Sequence, residues 1–174
     1  MDRSNLRLLA GWLLDNHQRL VEDNAFNMRS FRRNVGSVCD FVSKDDCGTV
    51  GCALGWAPVS GISSLDTSPK DFTKTSVTFP YHKGTTSLDF DKYCTRVFGI
   101  SHDCGEQSVY WAWCFDEDWG HLDNTPRGAA IRILYLLSHK EEVVEWGDVG
   151  VDYDEDVIAK YMSWWDMGGG KKGW

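Results

Sequence analysis

Apolar positions first fall at helical spacing in the opening segment. Leu6, Leu9, Leu13 and Leu20, with Trp12 and Val21 beside them, make one stripe, while Arg7, Asp15 and Arg19 interrupt any continuous apolar run. Ser4 or Asn5 is the expected N-cap. His17 lies on the same stripe and reads as a packed residue with one hydrogen bond rather than a ligand. In NAFNMRSFRRN, Phe26, Met28 and Phe31 are expected to pack a connecting turn, with Arg29, Arg32 and Arg33 in solvent.

The pattern then changes. GSVCDFV (36–42) and TSVTFPY (75–81) carry the β-branched and aromatic alternation of short strands, able to pair with each other, and Pro80 closes the second. Residues 60–74, rich in Ser, Thr, Asp, Gly and Pro, read as a loop. Helical spacing returns in TTSLDFDKYCTRVFGI, capped by Thr86 or Ser87 and stopped by Gly99, with Phe90, Tyr93, Cys94 and Val97 on one face. SHDCGEQSVYWAWCF follows, with Ser101 as N-cap, Asp103 at the positive end, apolar mass from Val109, Tyr110 and Trp113, and Phe115 at its close.

NTPRGAAIRILYLLSHKEE predicts a helix in which Thr125 caps, Pro126 takes the first turn, and Ala130, Ile133, Leu134 and Leu137 are buried. His139 and Lys140 stand toward its negative end. A last helix over DEDVIAKYMSWWDM buries Val157, Ile158, Tyr161 and Trp165. The expected fold is mainly α: a single compact helical domain over 1–167 with at most a small two-stranded β patch, and a flexible tail at 168–174.

Composition changes this picture in two ways. The 174 residues include nine Trp, too many large amphipathic rings to be fully buried, so Trp111, Trp113 and Trp119 are candidates for a binding surface. The net charge of −8 argues against direct nucleic-acid binding, which needs clustered Lys and Arg. The acids concentrate late in the chain: Glu141, Glu142, Glu145, Asp148, Asp152, Asp154, Glu155 and Asp156 follow one another without an intervening Lys or Arg. Of these, Glu145, Asp148, Asp152, Asp154, Glu155 and Asp156 are candidate contacts for a basic protein partner; a plain solvated face is the competing reading. No apolar run approaches the roughly 18 residues of a membrane span, and the start has no signal-peptide pattern, so a cytoplasmic location and reduced thiols are expected.

Candidate chemistry centres on DDCGTVGCALGWAP, residues 45–58. Cys47 precedes a small-residue run that reads as helix, a place where the helix dipole favours a thiolate. His82, His102 and His121 are available as bases, while Asp45 and Asp46 favour the neutral thiol. Structural zinc sites use close cysteine pairs, about two to four residues apart, with a second pair or histidines. Cys94, Cys104 and Cys114 supply no such second pair, so neither a metal nor a cofactor is expected. The packing reading gives Gly48, Gly51, Ala53, Gly55 and Ala57 the role of admitting a neighbouring element, with Cys47 and Cys52 as compact hydrophobes, Thr49 as cap, Trp56 as cover and Pro58 as stop.

CGTVGCALGWAP resembles the Cys-Gly-Thr-x-x-Cys-x-x-Gly-Trp/His-Ala signature of a family of small, uncharacterised proteins from tailed phages and prophages. FNMRSF before it, RVFGIS after it and TPRGAAIRILYLL near the end are similar to that family's order of elements, over about residues 1–140. The resemblance implies a phage accessory protein in the host cytoplasm. Three functions follow as expectations: a non-enzymatic modulator or inhibitor that binds a host or phage macromolecule, a thiol-dependent hydrolase or transferase using Cys47, and a minor virion or assembly component.

Overall fold

The computed structural model describes residues 1–26, 32–34, 49–62, 71–72, 76–81, 84–103, 105–116, 125–148 and 155–170. Helix α1 (Arg3–Glu22) begins two or three residues earlier than the expected caps place it, because Asp2 rather than Ser4 or Asn5 is the cap. The Asp2 carboxylate accepts from the backbone N–H groups of both Ser4 and Asn5, a charged acceptor at the positive helix end. Leu6, Leu9 and Leu13 are fully buried and Leu20 nearly so. Burial lapses between Leu13 and Leu20, so His17 is exposed rather than packed, its Nδ1 2.8 Å from the Leu14 carbonyl oxygen. Val21 is also exposed.

Strands β1 (Arg32–Asn34) and β2 (Thr49–Gly51) pair antiparallel, Arg33 opposite Val50. Arg32 and Arg33 therefore belong to a ladder, not to the connecting turn expected there. The glycine-rich run after them is much less helical than its small residues suggested: Thr49 is in a strand, and helix α2 (Ala53–Trp56) is a single turn continued by a 3₁₀ turn (Ala57–Val59) that contains Pro58. Its cap is Cys52, whose Sγ accepts from the Gly55 N–H at 3.4 Å.

Strands β3 (Asp71–Phe72), β4 (Ser76–Tyr81) and β5 (Gly84–Asp89) form a three-stranded antiparallel sheet in that order. The β content thus exceeds a two-stranded patch. β4 matches the strand expected there but pairs with β3 and β5, while its expected partner, 36–42, lies outside the described residues. Thr86 and Ser87, the expected caps of a helix, lie in β5, where threonine's β-branching suits extended backbone. Helix α3 (Phe90–Phe98) starts directly after it, and Gly99, at φ +61°, ends it as expected.

The architecture is mainly helical. Helix α4 (Gly105–Phe115) begins after Ser101, whose Oγ instead accepts from the Asp103 N–H in the preceding turn. Helix α5 (Pro126–Ser138) starts as its composition predicts, with Thr125 Oγ1 accepting from the Gly128 N–H at 2.9 Å and Pro126 in the first turn. It is not one-faced, however. Residues 128 to 137 are buried without exception, Arg132 included. α1 packs on α5 most extensively, and α4 also lies against it.

The expected continuation through Glu142 breaks at His139, whose φ of −132° and ψ of 43° are non-helical. His139 returns its N–H to the Tyr135 carbonyl and offers its own carbonyl to Val143, ending α5 and starting helix α6 (Lys140–Asp148). Helix α7 (Glu155–Asp166) buries Val157, Tyr161 and Trp165 as expected, with Ile158 only partly covered, and also packs on α5. Of the tail, Gly168 to Gly170 are described as a turn folded back on α7. The Gly169 N–H donates to the Trp164 carbonyl, and a Cβ on Gly169 would lie 2.2 Å from the Trp164 ring.

The N-terminus of α1 collects the last carbonyls of two other helices. The Asp2 N–H donates to Phe98, the Asn5 side-chain amide to Val97 at 2.7 Å, and the Arg3 guanidinium to Leu137. These groups satisfy acceptors that the ends of α3 and α5 leave open.

Candidate functional site

Cys47, Gly48 and Cys104 lie outside the described residues, as do Trp119, Asp152, Asp154 and the candidate bases His82 and His121. The rest of the cysteine segment is interior. Cys52, Ala53, Leu54 and Ala57 have no exposed surface, Gly55 is buried, and Trp56 is nearly so. The Trp56 indole stacks on Trp12 at 5.6 Å between ring centroids and donates to the Ala25 carbonyl at 3.1 Å. Through Trp56 this segment is tied to the middle of α1 and to the chain just beyond it.

Among the described residues, three reduced, buried cysteines lie in that interior: Cys52 at the cap of α2, Cys94 on α3 and Cys114 on α4. Burial pushes Cys52 up to about 11 against a lowering bond from the Gly55 N–H, and pushes Cys114 up to about 12 against the charge of Arg132. Cys94 is raised by burial first, then by Cys114, Asp91 and Cys52. A thiol held neutral is a poor nucleophile and a poor metal ligand. Among the described residues no group of three His, Cys, Asp or Glu is placed to hold a metal ion.

The tryptophans depart from expectation. Trp113 is fully buried and Trp111 is only 8% exposed. The Trp113 indole N–H donates to the Arg132 carbonyl, and its ring contacts Tyr135, Trp146 and Tyr161. These rings serve the core, because α4 packs against both α5 and α6.

Two Tyr–Glu–Lys clusters tie the outer helices together. Between α5, α6 and α7, the Tyr135 hydroxyl donates to Glu142 Oε2 at 2.6 Å and Lys160 Nζ donates to Glu142 Oε1. Burial raises the Glu142 carboxyl, but the bonds from Lys160 and Tyr135 outweigh it and hold the group below its ordinary value. Between α4 and α6, the Tyr110 hydroxyl donates to Glu106 Oε2 at 2.7 Å, and Lys140 pairs with the same oxygen at 3.3 Å. The Glu106 carboxyl is lowered by the Tyr110 bond and then by Lys140.

Outside these clusters the acidic candidates divide by position. Glu145 on α6 and Glu155 and Asp156 in the first turn of α7 are exposed, as is Glu141. Asp148 ends α6.

Sequence reasoning missed one concavity, a surface pocket of about 300 Å³ between α4 and α6. Ser108, Ala112 and Asp116 form a row along one side, with Val109 and Gly147 at the helix crossing, Trp111 on α4 and His102 in the turn before it. The His102 ring stands nearly perpendicular to the Trp111 indole, centroids 4.8 Å apart, and its Nδ1 lies 3.1 Å from Asp103 Oδ1. The spacing of 108, 112 and 116 is one residue every helical turn, the only cue in the sequence. No family model matches the chain, and no curated protein or solved structure matches it.

Proposed function

We propose that the chain is a phage or prophage accessory protein that acts by binding a host or phage macromolecule with a basic surface, in the cytoplasm of the host, and that it modulates that partner without catalysis. The observation that carries this reading is the charge balance of α6 and α7. Lys140 and Lys160 are the only Lys or Arg residues of the two helices, and they are engaged by Glu106 and Glu142. Glu141, Glu145, Glu155 and Asp156 remain exposed around them. A surface on which exposed carboxylates outnumber cations steers and orients a positively charged partner. If that partner ordinarily holds nucleic acid, the carboxylates occupy the positions of phosphates. Burial keeps each of the three described thiols protonated, which leaves Cys47, outside the described residues, as the thiol on which the catalytic alternative depends.

The test is affinity capture from host lysate with the full chain and with a Glu141→Gln, Glu145→Gln, Glu155→Gln, Asp156→Asn variant, at low and moderate salt. The expected result is a specific basic partner retained by the wild type, weakened by salt and lost with the variant. Retention indifferent to both changes, or no specific partner, overturns the reading.

A further inference from the structure

We infer that the aromatic cluster around Tyr135 is a one-electron relay: oxidation of a tryptophan at its rim ends as a neutral phenoxyl radical on Tyr135, with the phenol proton on Glu142. Three indoles touch the Tyr135 ring. Trp164 meets it edge to face at 5.3 Å between centroids, Trp113 lies at 5.9 Å, and Trp146 lies parallel to it at 6.1 Å. These are contact separations for aromatic pairs, and electron transfer between rings is fastest at contact. Trp146 and Trp164 are partly exposed, whereas Trp113 and Tyr135 are buried. The cluster therefore has an accessible rim and a sealed centre.

Removing an electron from a phenol turns its hydroxyl into a strong acid, so tyrosine is readily oxidised where a base stands ready. The Tyr135 hydroxyl donates to Glu142 Oε2 at 2.6 Å, within the reach a general base needs. The step balances. A diffusible one-electron oxidant, of the class of the azidyl radical, takes one electron from Trp146 or Trp164 and leaves as its anion. The indole radical cation takes one electron from Tyr135, whose O–H bond breaks and whose proton bonds to Glu142 Oε2. The products are an intact tryptophan, a neutral phenoxyl radical and a neutral carboxylic acid. The Glu142 carboxyl stands below its ordinary value, yet a phenol radical cation is the far stronger acid, so the proton moves downhill. Lys160, about half exposed, keeps its own charge in water. Burial of the Tyr135 ring shields the radical from coupling with a second molecule. The Tyr110 hydroxyl makes a similar bond to Glu106 at 2.7 Å, but among the described residues no aromatic ring pairs with Tyr110, which makes it the internal control.

The experiment is pulse radiolysis of the full chain in azide solution, with the indolyl and phenoxyl absorptions followed in time. The expected result is an indolyl signal that decays as a phenoxyl signal rises, at a rate independent of protein concentration. Tyr135→Phe keeps the ring and should leave the indolyl signal long-lived, with most of the phenoxyl yield lost. Glu142→Gln keeps an acceptor for the hydroxyl but takes no proton. It should slow the phenoxyl rise by about a hundredfold, the contribution of a positioned base. Tyr110→Phe should behave as the wild type. Undiminished phenoxyl yield in Tyr135→Phe, a rise as fast in Glu142→Gln as in the wild type, loss of the signal in Tyr110→Phe, or a rate that scales with protein concentration overturns the inference.

Discussion

The Trp113 indole N–H donates 2.8 Å to the backbone carbonyl of Arg132, deep between α4 and α5. The bond fixes the depth at which α4 sits, and the ring fills the space among Tyr135, Trp146 and Tyr161. Trp113→Phe keeps most of the volume and loses the donor, for an expected cost of about 1–2 kcal/mol. Trp113→Ala also leaves a cavity and should cost about 3–5 kcal/mol. Urea unfolding followed by circular dichroism measures both.

Gly147 allows α6 to approach α4. A Cβ there would meet Val109 Cγ1 at 2.5 Å, and a β-branched side chain has little freedom to yield. Gly147→Ala should destabilise the protein by about 1–3 kcal/mol through overpacking. Adding Val109→Ala should recover a large part of that loss, a coupling that a double-mutant cycle on unfolding free energies reads directly.

The buried thiols bear on reactivity and on alkaline stability. Iodoacetamide at neutral pH should leave Cys52, Cys94 and Cys114 unmodified in the native protein and modify all three after denaturation, as peptide mass mapping will show. Their folded values lie above the ordinary 9.0, about 11 for Cys52 and about 12 for Cys114. The unfolded chain therefore releases these protons first. Their contribution is complete below pH about 9 and is lost as pH rises toward about 12, so the unfolding temperature should fall across that window.

Glu142 works in the opposite direction. Its lowered carboxyl contributes stability above the unfolded value of 4.5 and loses it as pH falls through the folded value. Glu142→Gln should cost about 1 kcal/mol, discounted because Lys160 is half exposed, and should flatten the acid limb of the stability profile. Thermal unfolding of both proteins between pH 3 and 7, about the range where carboxylates titrate, checks this.

These relationships were unequally legible in the chain. The start of α5 was readable because Thr125 and Pro126 act locally, each within one turn of its own position. The apolar stripe of α1 was readable for Leu6, Leu9 and Leu13, but the cap was missed because Asp2 outcompetes Ser4 and Asn5 through its charge. The break at His139 carries no glycine or proline to mark it. Composition suggested surface tryptophans, yet Trp111 and Trp113 are buried, and Trp113 is covered by Tyr135, Trp146 and Tyr161 from three other helices, a tertiary fact. The pocket escaped notice for the same reason, since Asp116 and His102 acquire a shared wall only when α6 closes beside them.

The burial of α5 on every side governs how the chain can be made. α1 leaves the ribosome before α5, yet its principal wall is residues 126–138, synthesised more than a hundred positions later. Until that stretch emerges, Leu6, Leu9 and Leu13 have nowhere to dock, and loop closure over such a span is entropically costly. A nascent chain halted before residue 126 should therefore be prone to aggregation and to chaperone capture, and translation speed through that interval becomes a determinant of yield.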